Sequence, residues 1–396
     1  MLSVEEAIEQ ILARIVPVET ERVDLMAALG RVLAEPVVSR RVIPPWPNSS
    51  MDGYALRAAD AQAPGAAFRV VARIAAGAVP SRRIGPGEAA RIFTGAPMPP
   101  GADSVIPQED VKADGERVVI ARPVKPGDFV RPAGEDVRTG DRVLEPGRVV
   151  GPPEIGMLAT LGSPWVQVFR RPRVAILSTG DELAELGSEP GGGQIPNTNS
   201  YTLMAQVIET GCEPLNLGVA RDRREDIETR LGWGRSADVL LSSAGVSVGE
   251  YDFVKEAFEA LGATLHLWKV SMRPGKPITF GSLNGRPVFG LPGNPVSAMV
   301  TYELFVRPAL RKMAGHARLT RPSVQAEALA PIPNPGARRG YLRVTLTPHN
   351  GGYGARLTGE QGSSILKSMV LADGLAVVPP DTTIETGAPV EVILLR

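Results

Sequence analysis

The chain has little cysteine: one residue, Cys212, in 396. That excludes an internal disulfide and fits a reducing, cytoplasmic setting. A small core residue is the ordinary reading of such a cysteine. Histidine is nearly as scarce. His266, His316 and His349 lie far apart, without HExxH spacing or a Cys–His cluster, so no zinc-type ligand set can be read. Nothing supports a Ser–His–Asp triad. No apolar run approaches the roughly 20 residues of a membrane helix, and the opening MLSVEEAIEQ is acidic and amphipathic, unlike a secretory signal. An excess of charge of either sign is lacking too: 43 Lys plus Arg balance 43 Asp plus Glu. That argues against general nucleic-acid binding, which needs a basic surface. Finally, there is no Walker A motif. PGKP (274–277) lacks both the preceding glycine spacing and the following Ser or Thr.

What is present has the length of two to four domains and enough apolar residues for sizeable cores. Residues 3–15, SVEEAIEQILARI, predict a helix in which Ser3 and Glu6 form a capping box and Val4, Ile8, Ile11 and Ile15 share a face. A second helix is predicted around DLMAALGRVLAE, and 147–171 reads as mostly helical. These two stretches, 1–43 and 147–171, read as a helical scaffold. Residues 44–146 are dense in glycine and proline, with short β-rich runs (FRVVARIAAG, ARIFTG, ERVVIAR), and predict an inserted β domain. Residues 172–317 alternate strand and helix, which implies βαβ units and a largely parallel sheet covered on both faces. Residues 318–396 return to β (SVQAEAL, GYLRVTL, YGARLT, LAVVP, PVEVILL) and predict a small barrel or sandwich.

Ligands of open α/β sheets bind beyond the carboxyl ends of strands. Three predicted ends carry polar residues. LSTGDEL offers Ser178, Thr179, Asp181 and Glu182. SSAGVSVGEYDF (242–253) offers Ser243, Gly245 and Ser247 in a strand–turn–helix anion cradle. GLPGNPVSA offers Pro292, Asn294 as a helix cap and Pro295 at the first helical position. Any one of these is ordinary turn chemistry; three around one crevice indicate a site. The cradle has no lysine and ends in Glu250 and Asp252. The cations stand instead in WKVSMRPGKPITF, as Lys269, Arg273 and Lys276, suited to an oxyanion. Glu182, Asp222 and Asp252 could approach a phosphate through a divalent ion such as magnesium. The competing reading, acids favoured at helix starts by the macrodipole, covers Glu250 and Asp252 well and Glu182 less well. The stiff stretch VIPPWPNSSMDGYAL presents Ser49 and Asp52, as a structural turn or as a contact arm.

Taken together, these stretches resemble the molybdopterin molybdenumtransferase (MoeA) family, related to the E domain of gephyrin. The matching motifs are PPWPNSSMDGYAL, RIFTGAPMPPGADSVIPQED, GEDV, LSTGDEL, IPNTNSYTL, SSAGVSVGEYDF, KVSMRPGKPITFG and GLPGNPVSA. They occur in family order along essentially the whole chain. RRGYLRV and GEQGSSIL are the best matches in the less distinctive C-terminal part.

The resemblance implies a reaction: molybdate is inserted into adenylylated molybdopterin, and AMP is released by magnesium-dependent hydrolysis. It places Asp52, Thr94, Asp136 and Asp222 in catalytic positions, and Glu182, Asp222 and Asp252 near the metal. Lys269 and Lys276 match basic positions, while Arg273 stands where members vary; a guanidinium keeps the charge but bonds differently. Ser297, Arg339 and Ser363 match positions thought to hold molybdate. The implied fold has an elongated helical region, an inserted β domain, a three-layer α/β/α molybdopterin-binding domain and a C-terminal β-barrel. The implied assembly is a cytoplasmic homodimer, in which the loops near Asp52 and Thr94 reach the other subunit's α/β site. It would make transient contacts with a molybdopterin adenylyltransferase and molybdoenzyme chaperones. Two alternatives are an adenylyltransferase acting on molybdopterin, which would be shorter, and a non-catalytic molybdopterin-binding scaffold, which would carry a long linker and a fused second domain.

Overall fold

Along Arg173–Thr179, Val174 and Ile176 enter one hydrophobic core while Ala175 and Leu177 enter another. A strand buried on both faces needs helices on both sides, which βα connections supply. The computed structural model describes residues 1–244 and 253–396, with Phe253, Leu267 and Trp268 described by backbone alone. The chain forms two compact units. One comprises Met1–Glu35, Pro146–Ile155 and Pro164–Arg396; the other comprises Pro36–Glu145 and Gly156–Ser163.

In the first unit, β1 (Arg173–Thr179) belongs to a six-stranded sheet with β2 (Glu213–Ala220), β3 (Val239–Ser243), β4 (Thr264–Lys269), β5 (Pro277–Leu283) and β6 (Arg286–Leu291). The order is β2-β1-β3-β6-β5-β4. The first four of these are parallel neighbours, and β5 runs antiparallel to both β6 and β4. Helices α1 (Thr198–Glu209) and α4 (Pro295–Thr301) cover one face through Leu203, Val207, Val296 and Val300. Helices α2 (Arg224–Trp233) and α3 (Phe253–Ala260) cover the other through Ile227, Leu231, Val254 and Phe258. The expected layers are present; the reversed β5 was not expected. It follows from the turn between β5 and β6, where Asn284 and Gly285 take φ values of 51° and 79°, the left-handed pair of a type I′ hairpin.

Beyond α4 the helix runs on to Met313, but through a π turn at Tyr302–Val306. Pro308 supplies the cause. It has no N–H for the Leu304 carbonyl, and its ring would strike that group in a regular ladder.

The N-terminal helix Val4–Leu12 carries the predicted capping box: the Ser3 N–H donates to Glu6 Oε2 at 2.7 Å and the Glu6 N–H to Ser3 Oγ at 3.1 Å. Its Val4, Ala7 and Ile11 join the core that contains Phe305 and Leu310. The predicted second helix is only a 3-10 turn at Met26–Ala28. Leu29 turns extended and Gly30 takes φ 75°, which ends the winding. Within 147–171, helix Pro152–Thr160 is followed by strand Trp165–Phe169, which pairs with Thr20–Asp24.

The C-terminal strands Ser323–Ala328, Arg339–His349, Gly352–Leu357, Gly374–Val378 and Pro389–Leu394 match the five predicted runs. They close on themselves, because Arg339–His349 pairs at one side with Gly352–Leu357 and at the other with Gly374–Val378. The element is a barrel, filled by Ala326, Leu342, Val344, Ala376, Val390 and Val392. Met272–Arg273 pairs in parallel with Arg339–Gly340 and ties the cation loop to the barrel.

The second unit holds a curled six-stranded sheet in the order Ser104–Pro107, Gly53–Leu56, Glu88–Ile92, Ala67–Ile74, Arg117–Ile120, Val111–Asp114. Asp52 immediately precedes one strand and Thr94 closely follows another. No helix among the described residues is long and apolar enough to cross a membrane.

Candidate functional site

At the carboxyl ends of β1, β3 and β6 lies a cleft of about 520 Å³, lined by Thr179, Glu182, Asn199, Ser243, Asn294, Pro295 and Ser364. Three of the predicted strand ends therefore converge. Ser178 does not face the opening. It is fully buried, with its hydroxyl 2.9 Å from that of Ser200, which also accepts from Asn197 Nδ2 at 3.0 Å. Asn197 caps α1, so Ser178 anchors the start of that helix. The Thr179 hydroxyl is buried and has no partner among the described residues.

Ala244, the next residue after β3, takes φ 76° while its N–H donates to Leu291 O at 3.1 Å. A left-handed residue with a Cβ stores strain at the cleft floor. Asn294 precedes α4 but makes no side-chain cap; Pro295 occupies the first helical position as predicted. The cap comes from the barrel side instead, since the Val296 N–H donates to Ser363 O at 3.1 Å. Pro292, at the end of β6, is buried.

The acids Glu182 and Asp222 come together. A Cβ on Gly180 would lie 2.6 Å from Glu182 Oε2, so the glycine makes room for this carboxylate. Burial raises the Asp222 carboxyl above its usual range, and the charges of Glu182 and Asp181 push the same way. Among the described residues no three His, Cys, Asp or Glu side chains converge to hold an ion. Gly245, Ser247, Glu250 and Asp252 lie outside the described residues.

The cations lie along the connection from β4 to β5, part of which packs on α4. Lys269 faces Pro277 across the β4–β5 ladder. Lys276 is exposed, and Arg273 donates to Pro335 O at 3.3 Å. Gly275 presses this loop onto α4: at φ 102°, its Cβ would fall 2.4 Å from Thr301 Cγ2, with the carbonyl of the buried Ser297 also at hand. Arg339 is already neutralised by an ion pair with Glu5. The unpaired guanidinium is four residues on, at Arg343. It is wholly buried, donates to Ser368 Oγ and Gly362 O at 3.0 Å each, and has no carboxylate partner among the described residues. Its Nη1 has no partner among them either. Burial, and then the charge of Arg273, push its pKa down to about 10. Sequence reading missed Arg343 and Ser368. The available signal was an arginine inside the apolar run YLRV. It also missed Asn199, whose Nδ2 donates to both Ser243 Oγ and Gly293 O at 2.7 Å.

In the second unit, Asp52 Oδ1 accepts from the Thr94 N–H and from its hydroxyl. Those two bonds, the backbone one first, hold the Asp52 carboxyl below the usual range. Asp136 is exposed, and its N–H donates to Ile43 O at 3.0 Å.

A polar cleft at the carboxyl ends of a three-layer sheet, joined to a closed barrel, defines a multidomain α/β ligand-binding protein. Comparison with known proteins is more specific. Residues 2–162 match the MoeA N-terminal region (domain I and II), 175–312 the probable molybdopterin binding domain, and 325–395 the MoeA C-terminal region (domain IV). A molybdopterin molybdenumtransferase of Nostoc sp. is 41% identical over 95% of this chain and 89% of its own. The one from Bacillus subtilis is 36% identical over 96% and 90%. The crystal structure of a molybdopterin biosynthesis MoeA protein from Pyrococcus horikoshii OT3 superposes with a TM-score of 0.87 at 32% identity, covering all of both chains. The chain belongs to the MoeA family of molybdopterin molybdenumtransferases. It is an enzyme of molybdenum cofactor biosynthesis, a molybdenum insertase.

Proposed function

We propose that the enzyme takes adenylylated molybdopterin and molybdate, inserts the metal oxyanion into the dithiolene and releases AMP by hydrolysis. The observation that carries this reading is Arg343. A buried guanidinium without a carboxylate is costly unless an anion completes it. The remaining Nη1 donor, the Ser368 hydroxyl and the nearby Arg273 suit a small tetrahedral oxyanion such as molybdate. Arg343 replaces Arg339 in that role, because Arg339 is spent on Glu5. Gly362, whose carbonyl accepts from Arg343, lies two residues before Ser364, which lines the cleft that would hold the pterin–adenylate.

Magnesium belongs to the proposal. Glu182 and Asp222 are hard oxygen donors, and the like charges crowding Asp222 fit a site that a divalent cation would neutralise. Such an ion, when bound, supplies charge neutralisation at phosphate. The side chains have their own tasks. Lys269 and Lys276 attract the anionic substrate, the α4 start and Ser243 orient it, and Asp52, kept ionised by Thr94 and supplied by the other subunit of the proposed homodimer, can accept a proton from an attacking water. A cytoplasmic homodimer with transient contacts to an adenylyltransferase and to molybdoenzyme chaperones completes the reading.

The test is AMP release from adenylylated molybdopterin, followed with and without molybdate and with and without magnesium, in the wild type and Arg343→Met. Release that needs both ions and fails in the variant supports the proposal. Release indifferent to molybdate and to Arg343 overturns it.

A further inference from the structure

We propose that Asn199 determines specificity by accepting an N–H from the ring edge of an amino-bearing N-heterocycle, and so sets which way round the ligand lies. The inference rests on the reading above that the cleft takes a pterin–adenylate.

The orientation of the Asn199 amide follows from its partners. Gly293 O, 2.7 Å from Nδ2, is a carbonyl and can only accept. The nitrogen must therefore face it, and the second N–H goes to Ser243 Oγ at 2.7 Å. Both amide hydrogens are spent on joining the end of β3 to the turn after β6. Oδ1 is left over: it is buried and has no partner among the described residues. A carbonyl oxygen without a donor loses the hydrogen bonds it had in water, and a ligand that restores one is favoured.

That oxygen can only accept, so the complementary ligand group must donate. Phosphate and molybdate present acceptors at neutral pH and are repelled there. The Asn199 side of the cleft therefore suits a ring edge, and the anionic groups belong on the side of the cations. Ser243 strengthens the pattern. Its oxygen already accepts from Asn199, and its own proton, which has no acceptor among the described residues, can be donated to a ring nitrogen. Thr179, 2% exposed and also unpartnered among the described residues, lines the same cleft and can serve either sense. An acceptor beside a donor matches the amino group and adjacent ring nitrogen found in adenine and in pterin alike. The support is stiff, because Asn199 sits in the first turn of α1, whose start is fixed by Asn197, Ser200 and Ser178.

Two ligand pairs separate the two sources: AMP against inosine monophosphate, and 6-hydroxymethylpterin against 6-hydroxymethyllumazine. In each pair the second member carries a carbonyl where the first has its amino group. Binding is measured by calorimetry on the full-length wild type, Asn199→Ala and Ser243→Ala. We expect wild type to prefer the amino member of one pair by about tenfold, and Asn199→Ala to erase that preference while leaving the other pair unchanged. The pair that responds identifies the ring. Equal binding within both pairs by wild type overturns the inference without need of any variant. So does an Asn199→Ala protein that weakens all four ligands alike, which is the mark of a merely structural role. Ser243→Ala leaves the Asn199 acceptor in place and should keep part of the preference, because the ring nitrogen beside the amino group also turns from acceptor to N–H in the second member; complete loss there would assign the reading to Ser243 instead. If wild type binds no member of either pair, the reading of the cleft falls, and this inference falls with it.

Discussion

Thr94 donates twice to one oxygen of Asp52, from its backbone N–H and from its hydroxyl, each at 2.8 Å. A carboxylate held this way stays ionised to lower pH than an unpartnered one. Asp52→Ala should abolish cofactor formation while leaving the circular dichroism spectrum of the protein unchanged. Thr94→Val removes only the hydroxyl. It should cost about tenfold in rate and move the acid limb of the pH–rate profile upward, since the Asp52 carboxyl would then protonate at higher pH. Full activity of Asp52→Ala would remove that residue from the mechanism.

Arg343→Met separates stability from function. The guanidinium is buried with only neutral hydrogen-bond acceptors among the described residues and with the like charge of Arg273 near it, so an unbranched apolar side chain of similar length should leave the protein as stable or more stable. Molybdate-dependent activity should fall by at least about a hundredfold, the loss of a charge-assisted contact in a dry site. A variant that is both destabilised and active would contradict the assignment.

Gly275→Ala should be costly for two additive reasons. Its φ of 102° suits glycine only, and the new methyl would meet Thr301 Cγ2 at 2.4 Å. Together they predict about 2–4 kcal/mol of destabilisation in urea melts. Adding Thr301→Ser removes the clash but keeps the hydroxyl that donates to Ser297 O at 2.7 Å. The double variant should recover roughly half the loss, the part due to packing.

His316 makes stability depend on pH. Burial, then the charges of Arg311 and Arg307, lower its pKa from 6.5 to about 4. The unfolded chain therefore takes up the proton first. Stability is full above pH 6.5 and is lost as pH falls from there toward 4. The loss should be on the order of 2 kcal/mol, discounted for partial exposure. Urea midpoints at pH 5 and 7.5 should differ in the wild type, and the difference should shrink in His316→Gln.

Much of the architecture was legible because its signals are local. The capping box of Ser3 and Glu6, the alternation of the barrel strands and the helical spacing around the α/β sheet are each set within a few residues. The misses have physical reasons. The Leu- and Ala-rich 24–35 stretch has good helix propensity, but Gly30 and the pairing of its neighbours override it. The β5 strand was absorbed into the reading of the cation loop, although Asn284-Gly285 is a hairpin signature. At the site, the strand ends and the pair Glu182 and Asp222 were readable as motifs. The buried Arg343 was not, because its lack of a carboxylate partner among the described residues, like the pairing of Arg339 with Glu5 at the far end of the chain, is set only by the folded structure. Asn199 was hidden for a similar reason: its partners Ser243 and Gly293 are brought to it only by the folded sheet.

The π turn at Tyr302–Val306 has a consequence for how this chain can vary. Each residue advances a helix by about 100°. One residue deleted within that turn would press the Pro308 ring onto the carbonyl four residues before it and rotate everything beyond it. Leu310 and Met313 would swing out of the core they share with the sheet, and Lys312 would leave the Leu12 carbonyl it bonds at 2.8 Å. Substitutions in this segment are constrained by volume and, at Tyr302 and Glu303, by buried polar partners, Thr210 for the first and Gln206 and Arg321 for the second, whereas its length is fixed to the residue.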